Sequence, residues 1–202
     1  MYVYFIGTLL AYLLGSVSTS LIISKIKKVN LRTQGSKNLG ASNTLIVLGP
    51  KWGIFVGFCD MMKGFISVFV ARKCFADYRY LPYIVASAAI LGHIFPFYNK
   101  FKGGKGFATL IGCILGYNPL VCLIAAVLIV AITLATDYIA LATATVAIGF
   151  PVFVGISTGN LLYALITAIG SLFILIKHLS NYKRIVNGTE IHFRSAIKKK
   201  AN

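Results

Sequence analysis

What most constrains this chain is a succession of long apolar runs separated by short loops that carry nearly all of its charge. A helix of about 20 apolar residues matches the ~30 Å hydrocarbon core of a bilayer. In lipid only helices and closed barrels satisfy their own backbone. The ten-residue alternation of a barrel is absent, so the expected class is all-α, a polytopic membrane protein. With 58% hydrophobic and 12% charged residues, the chain lies far from a soluble domain, where about a quarter is charged. Residues 1–202 are read as one integral-membrane domain.

Seven spans are expected, at about residues 2–23, 52–70, 81–97, 106–117, 119–135, 139–156 and 161–176. The run from Phe107 is too long for one span, and Gly116-Tyr117-Asn118-Pro119 cuts it, because proline cannot continue a helix. The fourth span is then only ~18 Å long, too short for the core unless protein or water shelters it. No basic segment precedes the first run, which reads as a retained helix, not a cleaved signal. Cys59, Cys74, Cys113 and Cys122 form no CxxC pair and read as reduced packing residues. No metal cluster is expected.

The net charge is +16, from 20 Lys and Arg against 4 Asp and Glu. Such an excess suits nucleic acid, anionic lipid or a small anion. Membrane lipid and small anions are the expected partners, and nucleic acid is not, because the cations fall in short loops between spans. Sixteen of the twenty cations fall on one face if the N-terminus is outside and the C-terminus inside. The positive-inside rule makes that face cytoplasmic. Asp60 and Lys63 stand inside the second span at i,i+3, as a structural ion pair or as the border of a polar cavity.

Three polar segments share the basic face. Loop 1 carries Arg32, Gly35, Ser36, Lys37, Asn38, Gly40, Ser42 and Asn43, which offer charge, hydrogen bonds and tight turns. The second is Phe101-Lys102-Gly103-Gly104-Lys105-Gly106-Phe107-Ala108-Thr109. Its backbone N–H groups could cradle a phosphate at a helix start; it could equally be a cytoplasmic loop with ordinary topogenic lysines. The spacing is not that of a P-loop. The third runs from Lys177 to Glu190.

Together these segments resemble the motifs of the bacterial membrane glycerol-3-phosphate acyltransferases that use acyl phosphate. Gly15-Ser16, Arg32, Gly35-Ser36, Asn38, Gly40-Ala41 and Ser42-Asn43 match the family's first motif. His93, Pro96, Phe101 and Lys102 to Thr109 match the second. His178, Asn181, Arg184, Gly188 and Glu190 match the third, and Asp60 to Gly64 matches a D-x-x-K-G motif. The chain departs at Asn30 (usually Asp), Lys37 (usually Gly), Ser42 (usually Thr), Ile46 and Asp137 (usually Arg), and Ala140 and Thr143 (usually Ser).

The resemblance implies acyl transfer from acyl phosphate to the 1-hydroxyl of glycerol 3-phosphate, giving lysophosphatidic acid and phosphate. It implies no cofactor, a bacterial plasma-membrane location and an active site on the cytoplasmic face. Ser36, Lys105, His178 and Asn181 are the implied catalytic residues. Arg32, Gly35, Asn38, Gly40, Ser42, Asn43, Lys102, Gly103, Gly104, Gly106, Thr143 and Glu190 are the implied substrate-binding residues. A divergent homologue with altered substrate or no activity, and a small-anion transporter, are the alternatives. A monomer is compatible with the sequence, which sets no oligomeric state.

Overall fold

A computed structural model describes residues 1–198; Lys199 and Lys200, counted among the tail cations, lie outside the described residues. The described elements are all helical: α1 (Tyr2–Ser16), α2 (Thr19–Ile26), α3 (Ala41–Leu48), α4 (Pro50–Cys74), α5 (Leu81–Ile94), α6 (Phe107–Tyr117), α7 (Pro119–Thr136), α8 (Ile139–Thr158), α9 (Leu161–Val186) and α10 (Phe193–Lys198). A 3₁₀ turn, Phe97–Asn99, follows α5. Six stretches are long and apolar enough to cross a membrane, with α1 and α2 forming one of them, and α6 is a shorter apolar helix. Helices therefore occupy all seven expected span positions in a multi-pass membrane protein.

Local chemistry explains the boundaries. Proline opens α4, α5 and α7, where its missing N–H has no partner to lose. The Asn118 side chain accepts from Leu120 N at 2.9 Å, and that of Asn160 from Leu162 N at 2.9 Å. Each caps the start of the next helix.

Two pairs of helices run parallel and touch backbone to backbone. In α1 and α5, Gly15 lies against the carbonyl of Ala89, and Gly92 lies against that of Tyr12. In α4 and α6, Gly64 faces Thr109 and Cys113, while Gly112 and Gly116 face Met61 and Phe65. Any side chain at these glycines would collide with main chain, as expected where small residues let helices close in lipid. Aromatic rings gather at the end remote from the polar loops: Tyr83 stacks on Tyr163 at 4.4 Å, and Tyr117 packs edge-on to Phe150 at 5.7 Å.

Three expectations need correction. The first span is not one helix, since α1 stops at Ser16 and α2 restarts at Thr19. Tyr98 splices the gap: its hydroxyl donates to Ser16 O and accepts from Ser18 N at 2.7 Å. Loop 1 is not irregular throughout, because Ala41–Leu48 forms α3. The last span continues to Val186 instead of ending near Ile176, which places the third motif on a helix.

The short fourth span also finds its explanation. Gly103 N donates to Ile94 O at 3.0 Å, and Gly104 N to His93 O at 3.1 Å. The segment before α6 thus folds back along the end of α5, and both Gly104 and Gly106 are buried. Irregular backbone at membrane depth is tolerated when protein covers it in this way.

Candidate active site

The glycine segment and the end of α9 meet at one point. Lys105 Nζ donates to Asn181 Oδ1, across 76 positions of sequence. Asn181 Nδ2 donates to Glu190 Oε1 at 2.7 Å, and Arg184 Nε donates to Glu190 Oε2 at 2.6 Å. His178 and Asn181 are both buried and lie on one face of α9 at i,i+3. Burial first, then the nearby Arg184 guanidinium, pulls Lys105 below the ordinary lysine pKa, with Glu190 opposing.

His178 Nδ1 lies 2.8 Å from Ile174 O. A carbonyl oxygen only accepts, so Nδ1 carries the proton. In the neutral ring Nε2 is then the free base.

Beneath the loop sits a buried ionic group. Lys63 Nζ donates to Asp60 Oδ1 at 2.5 Å, and His93 Nδ1 lies 3.7 Å from the same oxygen. The structural reading of the Asp60–Lys63 pair is thus the one observed. His93 also supports the loop directly: its carbonyl holds Gly104 N, and its ring fills the space where a Gly104 side chain would be. The Leu39 carbonyl from loop 1 lies against the same glycine.

The structure redistributes the expected roles. The Gly103 and Gly104 N–H groups are already bonded to backbone, so they do not cradle an anion. The anion donors that remain here are Lys105 and the start of α6, where Gly106 adopts φ 87° and no side chain caps the first turn. Asn43 is wholly buried, accepting from Ser36 N at 2.7 Å and donating to Leu31 O at 2.8 Å. It shapes loop 1 from inside. Gly35 packs against Asn43, and Gly40 caps α3, where its carbonyl accepts from Thr44 Oγ1 at 2.9 Å.

Arg32 is tied to the second segment, since its Nη2 donates to Asn99 Oδ1 and Asn99 Nδ2 donates to Lys102 O. A 610 Å³ cleft lined by Lys25, Lys28, Arg32 and Asn99 opens beside them. The Lys102, Ser36 and Ser42 side chains are exposed, and Asn38 is half-buried beside Gly40. None of the four hydrogen-bonds to Lys105, His178 or Asn181. Thr143 is buried with its hydroxyl turned back to Ile139 O at 3.1 Å, so that hydroxyl is donated within α8 and not to the Lys105 cluster.

Sequence reasoning did not assign Asn99 or Arg184 to the site. Arg184 stood in the quoted motif, whereas Asn99 has no signal beyond its place between Pro96 and the glycines. The departures also find places. Lys37 stands at φ 59°, a conformation that glycine adopts freely and other residues adopt at a cost. Ile46 is exposed on α3, next to Gly35.

A family model described as glycerol-3-phosphate acyltransferase matches residues 5–188. The glycerol-3-phosphate acyltransferase of Geobacter sulfurreducens is 38% identical over 191 residues, 93% of this chain and 96% of that protein. That of Aquifex aeolicus is 39% identical, over 91% of this chain and 95% of its own. PlsY, an integral membrane glycerol 3-phosphate acyltransferase, superposes in its glycerol 3-phosphate form with a TM-score of 0.88 and 34% identity, over 94% of this chain and 95% of that one. Its lysophosphatidic acid form superposes with a TM-score of 0.86 and 31% identity, over 96% and 98% of the two chains. The chain belongs to the glycerol-3-phosphate acyltransferase family.

Proposed function

We propose that the protein transfers an acyl group from acyl phosphate to the 1-hydroxyl of glycerol 3-phosphate, releasing lysophosphatidic acid and inorganic phosphate. The observation that carries this reading is the meeting of Lys105 with Asn181, one turn from His178, beside the uncapped start of α6. Relatives solved in forms named for glycerol 3-phosphate and lysophosphatidic acid support the acceptor and the product. The donor rests on the motif resemblance.

An acyl phosphate is already activated, so the protein's task is to position two phosphates and meet the developing oxyanion. One Lys105 N–H is held by Asn181, which leaves two for a phosphate. The hydroxyl oxygen attacks the acyl carbon, the bond from that carbon to the phosphate oxygen breaks, and phosphate departs. The hydroxyl proton passes to His178 Nε2 and on to the leaving phosphate. Exposed Ser36 and Ser42 face the same aqueous end and contribute hydroxyls to substrate, while Arg32 and Lys102 add charge. The polar end faces the cytoplasm by the positive-inside rule, and the apolar helix faces below it accept the acyl chain.

The test supplies purified protein in lipid with acyl phosphate and glycerol 3-phosphate, follows phosphate and lysophosphatidic acid, and runs acyl-CoA as a parallel donor. Product from acyl phosphate alone supports the reading. Product only from acyl-CoA overturns the donor, and no product from folded protein overturns the activity.

A further inference from the structure

One charged residue outside the cluster turns its carboxylate and its carbonyl toward the segment that holds the cluster together. Asp137 caps the end of α7 at φ 65°. Its carboxylate Oδ1 accepts from Arg194 N at 2.9 Å, and its carbonyl accepts from Phe193 N at 2.9 Å. Oδ2 lies 3.2 Å from His192 Nδ1, the Tyr138 and His192 rings are 5.0 Å apart, and Arg194 Nη2 donates to Leu134 O at 2.8 Å. The segment is anchored at its other end too. Gly188 turns α9 at φ 67°, Thr189 N donates to Arg184 O at 2.8 Å, and Glu190 grips Asn181 and Arg184. Only Ile191 separates Glu190 from the residues that Asp137 holds.

We infer that Asp137 is a positioning residue: it clasps residues 192–194 so that Glu190 keeps the Asn181 carboxamide turned with its oxygen toward Lys105. The physical ground is the ambiguity of an amide. Asn181 can present oxygen or nitrogen to Lys105, and only the oxygen accepts from an ammonium. Glu190, acceptor-only when ionised, fixes the nitrogen on the opposite side. A chain end tied at one point frays; tied at two it holds Glu190 in register. The acid at 137 is thus matched by an arginine returning from position 194 to the same turn.

The inference rests on the acyltransferase reading for what Asn181 does. The test uses full-length protein in lipid, with Asp137→Gly, Asp137→Asn, Glu190→Ala and the Asp137→Gly/Glu190→Ala double variant. Glycine removes the carboxylate without straining the left-handed backbone, and asparagine keeps an oxygen for Arg194 N. Asp137→Gly should speed amide exchange over residues 187–194 and raise KM for glycerol 3-phosphate by about three- to tenfold, the size of one lost hydrogen bond, with kcat changing less. Asp137→Asn should stay near wild type. The double variant should be no worse than Glu190→Ala, since the effect passes through Glu190. An unchanged KM in Asp137→Gly overturns the inference, as does a double variant whose losses multiply. A wild type without turnover refutes the acyltransferase reading. Exchange over residues 187–194 then decides the clasp alone: faster in Asp137→Gly upholds it, unchanged overturns it.

Discussion

Lys105 carries the largest share of the proposed chemistry, and its environment sets its behaviour. Lys105→Ala removes a charge-assisted contact of roughly 1.5–3 kcal/mol, so kcat/KM should fall by about 10- to 150-fold while the fold persists. Its pKa is lowered by burial and by Arg184. The cation is therefore lost below the pH at which an exposed lysine titrates, and the alkaline limb of the kcat/KM profile should fall early. Lys105→Arg should move that limb to higher pH. Lys37 offers a prediction of opposite signs. Replacing it with glycine relieves φ 59° and should raise stability by about 1 kcal/mol, measured by thermal unfolding. The same change removes a cation from loop 1 and should weaken glycerol 3-phosphate binding. The grouping of Lys105, His178 and Asn181 was legible in the sequence, because each lies in a motif. The work of Gly103 and Gly104 was not, since glycine beside lysine suggests N–H groups aimed at an anion. Only the structure shows those groups bonded to Ile94 and His93.

Among the elements, the boundaries set by local chemistry were readable and those set by distant partners were not. Pro119 and Asn118 announce the division of α6 from α7 within four residues of sequence. The break between α1 and α2 depends on Tyr98, 80 positions away, so no window around Val17 reveals it. Likewise the end of α9 is hidden by its lysines, which lower hydropathy without ending the helix. Tyr98→Phe removes the hydroxyl that serves Ser16 O and Ser18 N, and the two lost hydrogen bonds together cost about 1–3 kcal/mol. Thermal unfolding in detergent should show a lower midpoint. In the glycine segment, Gly104→Ala must displace both the His93 ring and the Leu39 carbonyl, or shift the glycine segment itself. Displacing a reacting group by about 1 Å can cost on the order of 100-fold in rate, so turnover should drop steeply with helicity by circular dichroism unchanged.

For the whole molecule, we propose that α6 crosses with the six longer spans, which predicts the chain's two ends on opposite faces and the polar cluster on the face of the C-terminal segment. Single cysteines at Lys37 and at Gly159, in a background lacking the four native ones, should label from opposite sides of intact cells; labelling from one side would refute the topology. The parallel glycine contacts carry a consequence for biosynthesis. Both close pairs join helices that are not neighbours along the chain: α1 waits for α5, and α4 waits for α6. When the ribosome has delivered α4 to the membrane, Asp60 and Lys63 have each other, but neither His93 nor the backbone of α6 has yet been synthesised. A nascent chain arrested before residue 106 should therefore linger at the insertion machinery and be degraded faster than one arrested after residue 118. The settling of α4 in the membrane is thus completed by the translation of the shortest membrane helix, α6.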